Sequence, residues 1–384
     1  MKLKPLTHYT GNKKSIIYNY GPNWYSIVMG TGILSISIHS FPFKFKSQYE
    51  ICMTLYVLNI MIFVIITLIS IVRYTLKPSK FFELLNNPPA SMFIGAVPMA
   101  FSTIVNGLIF LFPVSKYRYV PNVALVLWSI DVFLALFSYL VVPMYSLLIH
   151  KNSIKTISSI WLLPMVPPIV SSGAGAAVAG VLNPDTAHVV IIISYILWGM
   201  GVVAFLKVPT YLYRLYAHGY PPKEIMIAAF LPVGLFGQSG NAIMSVGNVS
   251  AKIFPKTIPQ IQYFGEACEV CTMILGLLLV GFALFFLIQS IAATWFIFSK
   301  EGAKFNVSWW AITFPLGTFN QGIYSLAISL DSMAFRVFGS CFTIVLSIIW
   351  IYIFAKTFCG VWTGTLFIIP PPPIPTINEG SKQS

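Results

Sequence analysis

Residues 308–328 read SWWAITFPLGTFNQGIYSLAI, and after a gap of five residues 334–357 read AFRVFGSCFTIVLSIIWIYIFAKT. Both are runs of roughly 20 mostly apolar residues, the length a helix needs to cross the hydrocarbon core of a bilayer. They differ in kind. The first carries Pro315, Gly317 and Gly322, several amides and hydroxyls, and no Asp, Glu, Lys or Arg. The second has a single glycine, Gly339, with Arg336 near its start and Lys356 near its end. The pair reads as a helical hairpin: a kinked, charge-free helix followed by a regular one.

The same pair recurs along the chain. Apolar runs at 22–40 and 51–73, 91–112 and 122–148, 159–181 and 187–213, and 225–247 and 268–298 bring the total to ten spans in five hairpins. The odd spans hold 108 residues with 20 Gly and Pro; the even spans hold 132 with only 7. Gly and Pro are common in membrane helices in general, which accounts for their number but not for this segregation. Every charge inside a span (Asp131, Lys207, Glu269, Arg336) falls in an even one, with Arg73 and Lys356 at even-span ends. Pro98, Pro167, Pro232 and Pro315 stand at the eighth or ninth residue of their odd spans, and Gly30 takes the ninth place in the first. At the rise of an α-helix that is one common depth, ~12–13 Å from the entry end. A proline lacks the N–H its turn requires and displaces the carbonyl four residues back. A membrane tolerates this where helices are buried against each other or line a watery cavity. The expectation is an all-α integral membrane protein of ten transmembrane helices, built as five parallel hairpin repeats, with an inner ring of odd helices lining a central pore.

Composition agrees. The chain has 384 residues, 57% hydrophobic and 9% charged, with mean hydropathy +0.82. Soluble domains carry about 25% charged residues, so a soluble enzyme, a disordered chain and a nucleic-acid-binding protein are excluded together. The net charge of +13 sits mostly between apolar runs, so it is read by the positive-inside rule. With ten spans, 16 of the 23 basic residues fall on the side of the termini and 7 on the other. Both termini are expected in the cytoplasm and the protein in the plasma membrane. The organisation is then a cytoplasmic tail over 1–20, a transmembrane domain over 21–357 and a Pro-rich cytoplasmic tail over 358–384, with Pro370-Pro371-Pro372-Pro373 a stiff polyproline II exit. The 144 residues outside the spans make eleven loops and tails of about 13 each, too short for a folded soluble domain, and no cleavable signal pattern is present. Five cysteines form no disulfide framework, and Cys268-Glu269-Val270-Cys271 at the mouth of a span reads as apolar packing rather than a redox or metal site. No metal, cofactor or catalytic group is expected: His8, His39, His150, His188 and His218 are scattered near loops, and there is neither an H-E-x-x-H nor a G-x-S-x-G pattern.

Where a proline interrupts the ladder, the outer half-helix begins anew and its N-terminus carries about half a positive charge. Five such ends facing one axis favour anions, and the lack of acidic residues in the odd spans agrees, since cation paths place carboxylates there. The small polar groups available to replace water are Asn106, Ser171, Ser172, Gln238, Ser239, Asn241, Thr318, Asn320 and Gln321. Each fits either a pore wall or a bond to a freed carbonyl inside the bundle. Phe314 precedes Pro315 at the kink depth; its ring suits either packing or the occlusion of a narrow apolar pore. Asp131, within the fourth span, needs a partner in lipid. It is read either as an ion pair with Lys207 or Arg336, or as a proton site.

The stretch Trp309-Trp310-Ala311-Ile312-Thr313-Phe314-Pro315-Leu316-Gly317-Thr318 resembles the ninth-helix signature of the tellurite-resistance/dicarboxylate transporter family. That family includes bacterial tellurite-resistance proteins, fungal malate permeases, fungal sulfite efflux pumps and plant slow anion channels. Trp24-Tyr25-Ser26-Ile27-Val28-Met29-Gly30-Thr31-Gly32, Phe93-Ile94-Gly95-Ala96-Val97-Pro98-Met99 and Trp161-Leu162-Leu163-Pro164-Met165-Val166-Pro167-Pro168 are similar to its first, third and fifth helices. The sulfite-pump branch is the one most resembled, in Arg73-Tyr74-Thr75-Leu76, Ser194-Tyr195-Ile196-Leu197-Trp198-Gly199, Phe230-Leu231-Pro232-Val233-Gly234, Thr313-Phe314-Pro315-Leu316-Gly317 and Phe335-Arg336-Val337. The resemblance spans about residues 20–370. It departs at Val233-Gly234-Leu235, where relatives often show Gly-Pro, and the long tails of the plant channels are missing, so kinase gating is not expected. It implies quasi-fivefold symmetry around a central pore, a homotrimer, a phenylalanine gate at Phe314, and a small anion as substrate. Sulfite leaving the cell is the leading reading, and a C4-dicarboxylate such as malate or another small anion the alternative.

Overall fold

The computed structural model describes residues 20–150, 152–154, 157–221 and 223–367. Residues 1–19 of the expected cytoplasmic tail, the expected polyproline exit at Pro370–Pro373, and Lys2, Lys4, Lys13, Lys14, Lys151, Lys155 and Lys382 lie outside the described residues.

Every regular element among the described residues is helical. The principal helices are α1 (Tyr25–His39), α2 (Gln48–Leu76), α3 (Ala96–Leu111), α4 (Val120–Leu148), α5 (Pro167–Ala179), α6 (Pro184–Val202), α7 (Leu231–Thr257), α8 (Phe264–Glu301), α9 (Thr313–Ser329) and α10 (Met333–Trp362). A 3-10 turn, Val203–Leu206, continues α6 into a further helix, Lys207–His218. Among the described residues, seven helical stretches are long and apolar enough to cross a membrane, and an eighth qualifies if the pair Ser159–Met165 and Pro167–Ala179, bent by 46°, counts as one span. These stretches make the chain an integral membrane protein. Helices α1 and α9 have 15 and 17 residues, short of the roughly 20 of a typical span.

Their shortness has a common cause. Each of α1, α3, α5, α7 and α9 follows a 3-10 stretch: Pro22–Trp24, Phe93–Gly95, Ser159–Met165, Lys223–Phe230 and Val307–Ile312. Pro98, Pro167, Pro232 and Pro315 occupy the third, first, second and third positions of the α-helices that follow. The first turn of a helix has no intrahelical acceptor to which its N–H groups must donate, so proline is accommodated there without loss. The prolines thus mark where the α-helix begins rather than a kink in its middle. Gly30 differs from the expectation. It lies inside the uninterrupted α1, and a Cβ there would stand 2.2 Å from Thr313 Oγ1. Its role is close approach of α1 to the start of α9.

Burial separates the helices into two sets. In the stretches containing α3 and α7, 67% and 83% of the most apolar window is buried, against 17% to 39% for those of α2, α4, α6, α8 and α10. Nearly every residue of α1, α5 and α9 is buried as well. The buried helices touch in a closed cycle, α1 to α3 to α5 to α7 to α9 and back to α1. The remaining helices present bare apolar faces, among them Leu68, Phe133, Leu278 and Ile348, an arrangement costly in water and neutral in lipid.

Aromatic donors on the peripheral helices fasten the next buried one. Tyr56 on α2 donates to the Ile104 carbonyl on α3 (3.0 Å), Trp128 on α4 to Ser171 O on α5 (2.8 Å), and Trp198 on α6 to Ser239 O on α7 (3.0 Å). Trp350 on α10 donates to Thr31 Oγ1 on α1 (3.1 Å). A ring N–H or O–H has no water to bond inside a membrane, so each such donor needs a fixed acceptor.

Candidate functional site

Two cavities lie within the cycle of buried helices. The larger, about 320 Å³, is lined from all five: Ile33, Ile36 and Ser40 from the end of α1, Thr103, Asn106 and Phe110 from α3, Val170 and Gly173 from α5, Gln238, Asn241, Ser245 and Asn248 from α7, and Phe314, Gln321 and Ser325 from α9. The smaller, about 30 Å³, is nearly all apolar and lies toward the 3-10 stretches, lined by Met29, Phe93, Leu162, Val166, Leu231, Gly234, Trp310 and Phe314 among others. Phe314 is the single residue common to both linings, and it is 5% exposed. Phe314 thus borders both spaces.

The neighbours of Phe314 hold it in place. Thr313 Oγ1 donates to Trp310 O (2.8 Å), and Trp310 Nε1 donates to Thr357 Oγ1 on α10 (2.8 Å). Pro315 lies against Gly234, where a Cβ would come within 3.1 Å of Pro315 Cα, and one on Gly237 would come within 2.7 Å of Phe319 Cα. Glycines therefore let α7 and α9 approach backbone to backbone at the level of the ring.

Of the nine polar candidates, Asn106, Gln238, Asn241 and Gln321 line the larger cavity. Asn241 Oδ1 accepts from Ser325 Oγ (2.9 Å); Gln321 accepts from Ser40 Oγ (3.2 Å) and donates to Ser37 Oγ (3.1 Å). The other five are not among the lining residues. Ser171 turns away to donate to Asp131 (2.6 Å). Ser239 bonds back to Leu235 O (2.6 Å) and Thr318 to Pro315 O (3.1 Å). Asn320 donates to Thr343 Oγ1 on α10 (2.8 Å), and Ser172 is buried with no partner for its hydroxyl among the described residues. Thr103, Ser245, Asn248, Ser325 and Ser40 also line the cavity but were not anticipated. Their signal is helical spacing: Gln238, Asn241, Ser245 and Asn248 recur at intervals of three and four and share one stripe of α7.

The expected ion pair of Asp131 is not formed. Asp131 is fully buried on α4, and its Oδ2 accepts from Ser102 on α3 and Ser171 on α5, both at 2.6 Å, while Oδ1 has no partner among the described residues. Arg336 pairs instead with exposed Asp331 at the start of α10, and Lys207 reaches toward Trp161 O (3.5 Å). Two hydroxyls from neighbouring buried helices thus take the place of a cation. No group of three or more His, Cys, Asp or Glu with metal-binding geometry occurs among the described residues.

Comparison with known proteins bears on this arrangement. The family described as voltage-dependent anion channel matches residues 19–358. The sulfite efflux pump of Arthroderma otae is 35% identical over 353 residues, 91% of this chain and 93% of that protein. The sulfite efflux pump of Trichophyton rubrum is 34% identical over the same shares. The malic acid transport protein of Schizosaccharomyces pombe is 23% identical, covering 88% of this chain and 78% of that protein. With nearly the whole transmembrane region matched, including both cavities and Phe314, the chain belongs to the voltage-dependent anion channel family.

Proposed function

We propose that the protein carries small anions across the plasma membrane, foremost sulfite out of the cell, along an axis through the two cavities that Phe314 closes. The observation carrying this reading is that Phe314 borders two spaces, the larger lined from all five buried helices and the smaller from α1, α3, α7, α9 and the stretch just before α5. In this reading the ten helical segments are five hairpin repeats in quasi-fivefold arrangement, and the buried helices are the pore wall. The 3-10 stretch before each of the five buried helices, and the proline in the first turn of four of them, support the repeat. The homotrimer is what the family resemblance implies, the bare apolar faces of the peripheral helices suiting lipid and another subunit equally, and the 16-to-7 division of basic residues supports cytoplasmic termini. The absence of acidic side chains from both linings supports anions over cations.

Sulfite leads because the sulfite efflux pumps are about a third identical over nearly the whole chain. A C4-dicarboxylate such as malate is the second reading, supported by the likeness to the malic acid transport protein. The test is efflux of sulfite, malate and chloride from sealed vesicles holding the purified protein. Sulfite moving fastest supports the first reading and malate moving fastest the second. Current that follows the cation gradient would overturn both.

A further inference from the structure

We infer that a cavity beside Lys207 seats the phosphate of an anionic phospholipid from the leaflet on that side, the cytoplasmic one in the orientation proposed above. Lys207 is left over from the ion pair that Asp131 does not form. The ion pairs among the described residues are Lys80 with Glu83, Lys223 with Glu301 and Arg336 with Asp331. Among the same residues the Lys207 ammonium reaches only Trp161 O, and 3.5 Å is long for a charged donor. An ammonium has three N–H donors. Half-buried at a membrane, as this one is, it calls for acceptors from elsewhere.

The surroundings specify the acceptor. Lys207, Ser158, Thr210 and Tyr211 line one cavity of about 320 Å³, between the 3-10 stretch Ser159–Met165 and the helix that continues α6. The lining thus offers one cation and three hydroxyls, and no carboxylate. Phosphate oxygens suit such a set of donors, whereas a choline or ethanolamine ammonium finds no counter-charge there. Position points to lipid as the source of the phosphate. Measured along α6 from Pro184, Lys207 stands about 35 Å away, just past a hydrocarbon core of ~30 Å and so at the level of lipid headgroups. The cavity opens onto the lipid-facing side of that helix, for Val203 and Leu206 also line it and are 43% and 75% exposed. They continue an exposed stripe with Ile192 and Ile196, at helical intervals of three and four through Gly199, which has open space beside it. The cavity takes the headgroup and the stripe takes an acyl chain. Leu162 gives the seat a bearing on transport, because it lines both this cavity and the small one that Phe314 borders.

The test titrates full-length protein in detergent with phosphatidylglycerol and, separately, with phosphatidylcholine of the same acyl chains, and reads the tightest-bound lipid per chain by native mass spectrometry. Phosphatidylglycerol is expected to bind about fivefold tighter, the contribution of one basic residue at a membrane surface. Lys207→Arg keeps that preference and Lys207→Gln loses it. Lys300→Gln, which removes an exposed charge at the corresponding end of α8, leaves it unchanged. Equal binding of the two lipids by the wild-type protein overturns the inference, whether or not any variant folds. A folded Lys207→Gln variant that keeps the preference also overturns it, as does a preference that Lys300→Gln abolishes equally, since the attraction is then to surface charge in general. Inorganic phosphate and sulfite form the remaining arm. Neither is expected to displace phosphatidylglycerol at equal concentration; displacement by either shows a seat for a free oxyanion and overturns the lipid as its source. Bound lipid is counted here without any flux, so failure of the proposed function leaves the result intact.

Discussion

Replacing Phe314 by alanine tests the partition directly. The ring is 5% exposed and Phe314 belongs to both linings, so along the proposed path an anion passes only if the ring swings out of its contacts. Exposing a buried phenylalanine costs about 1.5–3 kcal/mol. If that is the barrier to opening, removing the ring accelerates anion passage by roughly ten- to a hundred-and-fifty-fold at 1.36 kcal/mol per decade. The substitution also carries a stability cost, at most the about 3–5 kcal/mol of a Phe→Ala change in a closed core. The cost falls below that range because open volume already borders the ring on both sides. The assay is initial sulfite efflux from vesicles of matched protein content, beside a thermal unfolding curve in detergent to show that the variant is folded. Phe314→Leu, which keeps part of the apolar plug, should fall between wild type and Phe314→Ala. A folded Phe314→Ala variant with unchanged flux refutes the reasoning, because the barrier would then lie somewhere other than at this ring.

Asp131→Ala strips the hydroxyls of Ser102 and Ser171 of their shared acceptor, about 1–3 kcal/mol for each donor left unpaired. Asp131→Asn keeps one acceptor oxygen and should melt at a higher temperature than the alanine variant; equal melting would refute the bridge as a contributor. Gly247→Ala places a Cβ 1.8 Å from Thr272 Oγ1, between α7 and α8. It should destabilise by about 1–3 kcal/mol through overpacking, with Thr272→Ala restoring part of the loss; no restoration would show that the contact is not the cause. Gln238→Lys sets a cation into the larger cavity and should change the initial sulfite efflux rate, since a full charge holds an anion more tightly than an amide does. A folded variant with wild-type efflux would count against the larger cavity as part of the path.

Much of the architecture is legible in the one-dimensional pattern, because membrane helices are constrained by composition more than by contacts. Every backbone group in lipid must be bonded within its own helix, so apolar run length alone locates the helices, as α2, α4, α8 and α10 illustrate. Proline is equally legible, since its missing N–H is tolerated at a helix start; the sequence marks the depth of Pro98, Pro167, Pro232 and Pro315, though read as mid-helix kinks. Gly30 was misread for a related reason: glycine permits close approach as readily as a bend, and only the position of Thr313 distinguishes the two.

What the sequence by itself determined is therefore the all-helical membrane class, the two alternating chemistries of helix, and Phe314 at the level where the α-helices begin. Tertiary structure alone decided which way each polar group faces. Ser171 and Ser172 are adjacent, as are Asn320 and Gln321, yet of these four only Gln321 lines the cavity. One residue step turns a side chain by about 100°, and nothing within a single helix says which neighbour lies on which side. The same holds for Asp131. Its charge was plain from the sequence, but its partners are two serines brought together from α3 and α5, a proximity that exists only once the buried helices have closed their cycle.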